Sequence, residues 1–566
     1  MLKIGRVLVL TGFLVSSMFA HAIEGEATVA ALGDPLAANI WSWRPRGDRA
    51  ELHPGNCDGF AFEQEVIAKR GNHAELADFI RRRAEKCANW NGIDIAKGLL
   101  SIAREDNPIY TLTDNRRIRA VKLIDRFGFK IRGMLALKPG QNKYPLLVLK
   151  CGIHCNINGP STALGLMVFF DESPFHVLVL PSTTGSDWQR DNEEFVLGGV
   201  DEGRQIFDIV RYAVEESSFR ERISTVHVFG WSLGGHAALY SGLYSEMNPK
   251  ADGSRYIRSV FAGCPVVDLE TSVRGLYRPN AIGVMFGHRS WKQFTDIWRY
   301  VPVIRRLVPN VAEVPRVEQL PTLIEKGLFE YYRERLSGQG LLDSPFQSLS
   351  AANPAAAWNF NRFQDYAKLI RKTPIMTWAS KDDPVVSPYK NSAVLLQSVA
   401  NDPSSPIHGL ITRTGTHCTF QAAFKWSMVS GAMRGYVIGN SPELLARRRY
   451  MRVPLRFDDA RVPVATTSTN PMLWTKWDAD ADNDYAELRV RYRQAFCYAG
   501  QGCGFEKLYR VRLSTFGIPP SEFPKTRAEA DSLSRWLNGN VRVTGAEKGR
   551  LGEREAIRYA EWWNYR

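Results

Sequence analysis

The fold turns on one stretch, Thr225-Val226-His227-Val228-Phe229-Gly230-Trp231-Ser232-Leu233-Gly234-Gly235-His236-Ala237-Ala238. Its first five residues are a short apolar run that ends at a glycine, the pattern of a buried strand. Small residues follow Ser232 and lead into a helical stretch that includes His236 to Tyr244. A strand that passes into a helix through so short a turn leaves the serine in a strained backbone conformation, its hydroxyl clear of the sheet. Gly230 and Gly234 remove side chains that would collide there. The new helix points its free N–H groups back at the serine and favours negative charge developing beside it. Ser232 is therefore the candidate nucleophile.

The same texture extends outward on both sides. Upstream lie Pro145 to Leu149, ending at Lys150-Cys151-Gly152, and His176 to Leu180, ending at Pro181. Downstream lie Ile257 to Ala262, Pro374 to Ala379 and Ile407 to Arg413. Helical spacing separates them, as in Glu202 to Glu216. Short apolar runs alternating with helices predict an α/β fold, a mostly parallel sheet with helices on both faces. A hairpin precedes it, with Ile118 to Ile124 and Lys130 to Leu137 flanking Phe127-Gly128. Between Ala262 and Pro374 lie about a hundred residues, far more than an ordinary connection. This insert carries Trp291, Trp298, Tyr300, Tyr331, Tyr332 and Trp358. It is expected to form a helical cap, residues 268–371, over the carboxyl edge of the sheet.

A serine hydroxyl is a poor nucleophile without a base. On a sheet of this kind the partners follow in the order serine, acid, histidine. Lys381-Asp382-Asp383-Pro384-Val385-Val386 comes directly after the run ending at Ala379. Asp383 is the preferred acid and Asp382 the alternative. The one not used is expected to cap the next helix or turn. Thr414-Gly415-Thr416-His417-Cys418-Thr419-Phe420 follows the last strand and makes His417 the candidate base. His236 is expected to pack within its helix. An oxyanion needs two donors, the N–H of Leu233 and one from Cys151-Gly152-Ile153-His154-Cys155, either Ile153 or Gly152.

With these residues, Pro145 to Phe420 resembles the α/β-hydrolase superfamily. The shared order is strand, oxyanion loop, G-x-S-x-G, cap insert, D-D-P-V-V, then Gly415-Thr416-His417. The run Gly198-Gly199-Val200-Asp201-Glu202-Gly203-Arg204 is similar to a glycine-acidic run of esterase-like members. The resemblance implies a serine hydrolase that cleaves carboxylic esters through an acyl-enzyme, with no cofactor and no metal. Substrate identity stays open, because this fold hosts many reactions. Small-molecule, lipid and polysaccharide esters all fit. A serine peptidase of the same fold, or a non-catalytic binding protein on a hydrolase scaffold, are the other readings.

The chain has 566 residues, 44% hydrophobic and 23% charged. One domain rarely exceeds about 250–300 residues, so several units are expected. A helical N-terminal region is expected over 23–115, with helical spacing from Phe62 to Trp90. The hydrolase domain is expected over 116–440 and an α+β unit over 441–566. That last unit should hold strands in Thr475 to Arg493 and Leu508 to Thr515, and helices in Arg527 to Leu537 and Arg554 to Trp563. At the start, Lys3 and Arg6 precede an apolar stretch from Val7 to Ala20, and Ala20-His21-Ala22 supplies small residues for cleavage. This is the pattern of a signal peptide, residues 1–22, too short to span a bilayer. It implies a periplasmic or secreted protein, and no later segment reads as transmembrane.

Export permits disulfides. Among the eight cysteines, Cys57 with Cys87, Cys151 with Cys155 and Cys497 with Cys503 are the expected pairs, although a four-residue step is tight. Their spacings match no common zinc pattern. The net charge of +14 is spread among interleaved acidic residues, without an aromatic-basic module, and implies no nucleic-acid partner. Arg447-Arg448-Arg449 is too short a run to change that. Asp478, Asp480, Asp482 and Asp484 alternate like a calcium loop. Asn483 and Arg489 stand where glycine and glutamate are needed, so a solvated acidic turn is expected.

Overall fold

The computed structural model describes residues 59–87, 116–157, 162, 165–339, 356–418, 426–455, 460–464, 473–476, 485–493, 504–544 and 558–565. The signal-peptide stretch, the Asp478–Asp484 run, Cys57, Cys497 and Cys503 lie outside them.

Eight strands form the central sheet: β1 (Ile118–Ile124), β2 (Lys130–Ala136), β3 (Tyr144–Lys150), β4 (His176–Leu180), β5 (Ile223–Trp231), β6 (Ser259–Gly263), β7 (Ile375–Ser380) and β8 (Ile407–Thr412). Their spatial order is β1-β2-β4-β3-β5-β6-β7-β8. The hairpin of β1 and β2 joins antiparallel to β4, and all pairs from β4 to β8 are parallel. β3, β4, β6 and β7 are buried along their whole length, which is why they read as unbroken apolar runs rather than alternating ones.

Alternate residues of each strand feed two apolar layers. Val148, Val228, Val260 and Ile375 face one layer; Leu149, Phe229, Phe261, Met376 and Trp378 face the other. The helices α1 (Gly59–Ala68) and α2 (His73–Lys86) complete the second layer, burying Phe62, Val66, Leu76 and Ile80 there. The helical stretch expected from Phe62 to Trp90 is thus two helices. The chain turns at Lys69 to Gly71, and the Asn72 side chain caps the new start by accepting from Glu75 N–H at 3.0 Å. On the first face lie α3 (Ser186–Asn192), α4 (Gly199–Glu215) and α5 (Leu233–Met247).

The insert contains α6 (Leu269–Leu276), α7 (Ala281–Ile297) and α8 (Leu320–Gln339). It holds the loop after β3 and the helices α3 and α4. Ser290 of α7 meets His154 Nε2 at 3.0 Å, Gln293 donates to Gln189 at 2.8 Å, and Tyr331 of α8 donates to Asp201 at 3.0 Å.

After α9 (Trp426–Gly439), which packs on α1 through an Arg434–Glu63 pair at 2.8 Å, two further sheets follow. One joins β9 (Arg449–Leu455), β14 (Arg542–Thr544) and β15 (Arg558–Asn564); the other joins β10 (Ala460–Val464), β11 (Leu473–Lys476), β12 (Tyr485–Arg493) and β13 (Gly504–Arg512). The strand expected across Thr475 to Arg493 is therefore divided between β11 and β12. The helix α10 runs from Arg527 to Asn540. A second helix is expected over Arg554 to Trp563; the described part of that stretch, from Arg558, is the strand β15 instead. Antiparallel pairing with β9 fixes this stretch as a strand, and it leaves Trp562 only 1% exposed, packed on Phe516.

Candidate active site

β5 ends at Trp231 and α5 begins at Leu233, so Ser232 alone makes the turn. Its φ of 55° lies in the left-handed region, which side chains other than glycine adopt only under constraint. The flanking glycines are obligatory for spatial reasons. A Cβ on Gly230 would stand 2.0 Å from the Gly234 carbonyl oxygen, and one on Gly234 would stand 2.3 Å from that of Lys150. The Ser232 N–H donates to Gly263 O at 2.9 Å, and its carbonyl accepts from Val266 N–H at 3.3 Å and from His236 N–H at 3.1 Å. The serine backbone is thus tied to both β6 and α5.

His417 reaches this point from the other side. Its Nε2 lies 2.9 Å from Ser232 Oγ, and its Nδ1 lies 2.9 Å from Asp383 Oδ2 and 3.1 Å from Oδ1. All three side chains are buried. Asp383 is itself fixed, because its Oδ1 accepts from Val385 N–H at 2.8 Å and Val386 N–H at 2.9 Å. Of the two adjacent aspartates, Asp383 is the one that meets the imidazole.

Asp382 does something else. It was expected to cap a following helix or turn, yet it faces the histidine loop. Its carboxylate accepts from Thr414 Oγ1 at 2.8 Å and Thr416 N–H at 2.9 Å. Ser380 adds a bond from its hydroxyl to Thr416 O at 2.5 Å. Gly415, Thr416 and Cys418 have φ of 145°, 46° and 53°. This bent loop is held by residues at and just after β7, and the Thr412 hydroxyl at the end of β8 adds a bond to Thr414 O at 2.7 Å.

The loop after β3 closes the site. A Cβ on Gly152 would lie 3.2 Å from Ser232 Cβ and 3.3 Å from Trp231 O, a tight fit that a glycine avoids. The N–H groups of Ile153 and Leu233 find no acceptor among the described residues, and those of His154 and Cys155 are used locally, on Thr184 Oγ1 and Gly152 O. Gly152 lies beside the serine, where a Cβ would stand 3.8 Å from Ser232 Oγ, and Leu233 opens the helix that follows Ser232. Cys151 and Cys155 are joined across the loop with Cα atoms 6.0 Å apart, so the four-residue step is long enough.

Three features were not foreseen from sequence. The first is a buried ion pair under the loop, Lys150 Nζ to Glu202 Oε2 at 3.1 Å. Burial pulls the Lys150 ammonium below its ordinary pKa, and Glu202 opposes that. Glu202 also accepts from Ser182 Oγ and Thr183 N–H, so one carboxylate ties the ends of β3 and β4 to α4. The only signal was a lysine at the end of an apolar run.

The second is His154, buried against Ser290 and Thr184, which burial holds neutral with a pKa near 3. The third is a disulfide between Cys264 and Cys418, with Cα atoms 5.5 Å apart and a sequence separation of 154. A cysteine beside the candidate histidine was its signal. Cys264, His417 and Cys418 bring possible metal donors within 4.8 Å. Both sulfurs are spent in the disulfide, which leaves no thiolate for a metal. Cys87 is also disulfide-bonded; Cys57, its expected partner, lies outside the described residues. His236 is buried in α5 beside Tyr240, with ring centroids 5.0 Å apart, and takes no part in the cluster.

No protein-family model and no curated protein matches the chain. Among solved structures it is similar to an esterase of Pyrococcus furiosus, at 13% identity over 57% of this chain and 91% of the other, with a TM-score of 0.33. It is also similar to an esterase of Pyrobaculum calidifontis, at 12% identity, 65% and 93% coverage and a TM-score of 0.35. An acylaminoacyl peptidase of Pyrococcus horikoshii is similar at 13% identity, 58% and 41% coverage and a TM-score of 0.34. The parallel sheet, the serine on its strand-to-helix turn and the chain order serine, aspartate, histidine make the fold that of an α/β hydrolase.

Proposed function

We propose that this protein is an exported serine hydrolase acting on carboxylic esters. The observation that carries the reading is the continuous line from Ser232 Oγ through the His417 ring to Asp383, with both contacts at 2.9 Å. In this mechanism His417 takes the Ser232 proton as Oγ attacks the ester carbonyl. Asp383 holds Nδ1 protonated, aims Nε2 at the serine and stabilises the imidazolium. The N–H groups of Leu233 and Ile153 take the oxyanion, with Gly152 the alternative to Ile153. His417 then protonates the departing alcohol. A water deprotonated by the same imidazole hydrolyses the acyl-enzyme, so the cycle needs no cofactor. The substrate is a small-molecule, lipid or polysaccharide ester.

Export is supported by the signal-like pattern of residues 1–22 and by disulfides at Cys87, Cys151–Cys155 and Cys264–Cys418, which oxidising compartments preserve. A periplasmic or secreted location follows from the same reading. Among the described residues no helix is long and apolar enough to cross a membrane.

The test is to expose the mature protein and its Ser232→Ala variant to a fluorophosphonate probe and to short p-nitrophenyl esters. Labelling and turnover are expected in the first and neither in the second. Hydrolysis of p-nitroanilides without ester turnover would move the assignment to a peptidase. No labelling of well-folded protein would remove the hydrolase reading in favour of a binding role.

A further inference from the structure

Cys418 follows His417 directly in the chain, and its sulfur is bonded to that of Cys264. Cys264 follows Gly263, the last residue of β6, whose carbonyl accepts the Ser232 N–H at 2.9 Å. Two residues beyond Cys264, Val266 N–H donates to the Ser232 carbonyl at 3.3 Å. The segment Gly263 to Val266 therefore holds both backbone polar groups of the serine. The disulfide fastens that same segment to the residue next to the imidazole. Cys264 is itself anchored, since its N–H donates to Trp378 O of β7 at 2.6 Å.

The histidine loop needs such a fastening. Thr416 and Cys418, on either side of His417, have φ of 46° and 53°, and Cys264 has φ of 41°. Side chains other than glycine keep such angles only where their surroundings over-determine them. On the N-terminal side of His417, Asp382 and Ser380 hold Thr416 by its N–H and its carbonyl. On the C-terminal side the fastening among the described residues is the Cys418 sulfur. Without it, the placement of Nε2 rests on Asp383 at Nδ1 and on the brace at Thr416 alone.

We propose that the Cys264–Cys418 disulfide is a positioning element of the hydrolase, keeping the His417 imidazole in register with Ser232, and that its reduction by a dithiol lowers turnover. The inference rests on the function proposed above. In the reduction the dithiol gives two electrons and two protons. Its sulfurs join in a new disulfide, the Cys264–Cys418 bond breaks, and both cysteines become thiols.

Misplacing reacting groups by about 1 Å costs about 10²-fold in rate. The expected result is a kcat lower by about 10- to 100-fold with KM changed less than about twofold, because the disulfide is proposed to act through the His417 imidazole.

The experiment uses the full mature chain in three forms: oxidised, reduced with dithiothreitol and alkylated, and a Cys264→Ser/Cys418→Ser variant. A Cys264→Ala/Cys418→Val pair, apolar and near in volume, guards against loss of folding. All are assayed below their own melting transitions, with p-nitrophenyl acetate for kcat and KM and a fluorophosphonate probe for the labelling rate. The inference expects kcat and labelling to fall together in both pair variants, and dithiothreitol to cause no further loss in them. Wild-type kcat in either folded pair variant overturns it. So does a dithiothreitol-dependent loss in the pair variants equal to that of the wild type, which would assign the effect to another disulfide. Absence of labelling in the oxidised wild type is a separate result that overturns the hydrolase reading itself.

Discussion

The turn at Ser232 and the loop at His417 meet at 2.9 Å, but they are built by different means. At the turn, the residues that permit a φ of 55° are neighbours in sequence: Gly230 and Gly234, where any Cβ would strike backbone within 2.3 Å. At the loop, comparable angles at Thr416 and Cys418 are imposed from afar, by Ser380, by Asp382 and by Cys264. A locally encoded turn is set by whichever residues flank it. A loop braced at a distance can be loosened by changes that never touch the proposed reacting atoms. The two halves of the site should therefore fail differently.

The largest effect is expected where the two halves touch. Removing the proposed base, His417→Ala, should lower kcat by about 10⁵- to 10⁶-fold, as expected for a group that acts as a unit with its nucleophile. Its melting temperature should stay near that of the wild type. Steady-state kinetics with a p-nitrophenyl ester and a calorimetric scan check both statements. A loss below about 100-fold would mean that Ser232 draws its activation from elsewhere.

Next come the adjacent aspartates, which separate orientation from bracing. Asp383→Asn should lower kcat by about 10⁴-fold, because an amide facing Nδ1 favours the wrong tautomer. Asp382→Asn should cost about 10- to 100-fold through a looser Thr414–Thr416 turn. Equal losses in the two variants would break the division of labour between them.

This pair marks where legibility ended. Both aspartates satisfied the spacing after β7, and the sequence favoured Asp383 only through the Pro384-Val385-Val386 that follows it. What separates them is the direction each carboxylate takes, a matter of tertiary contacts. Ser232 was legible because its constraint is local: an apolar strand, two glycines and a small-residue helix, all within ten residues of it. The sheet was legible for the same reason, since a strand buried on both faces announces itself as an unbroken apolar run. The Cys264–Cys418 bridge was not, because spacing favours cysteines close in the chain and these are 154 residues apart. β15 was misread because its partner β9 is also remote in the chain, and the charges before Tyr559 mimic a helix surface.

The third expectation breaks the turn itself. Gly230→Ala should cost about 3 kcal/mol or more of stability, since its Cβ would meet the Gly234 carbonyl at 2.0 Å and neither backbone can retreat from the β5–α5 junction. Gly128→Ala, at a hairpin turn with φ of 83° and open space around its Cβ, should cost only the strain of that angle, about 1–2 kcal/mol. Urea titrations of the two variants measure the gap. Equal losses would mean that the turn can relax and that crowding does not fix the position of Ser232.

The smallest expected effect concerns the histidine on the nucleophile side. His236 is fully buried beside Tyr240, and burial pushes its pKa down from 6.5 to about 3. Below pH 6.5 the unfolded chain gains a proton on this residue that the folded chain refuses, so stability is complete above that value and drains away as pH falls toward 3. Between pH 7 and pH 5 the drain from this one group is about 2 kcal/mol. His154, His176 and His227 are held near 3 in the same way and add to the slope. The share of His236 is isolated by comparing urea midpoints of the wild type and His236→Gln at the two pH values. The wild type should lose about 2 kcal/mol more than the variant on acidification. Equal losses would mean that His236 takes up a proton inside the fold, and then α5 would carry a buried positive charge one turn beyond Ser232.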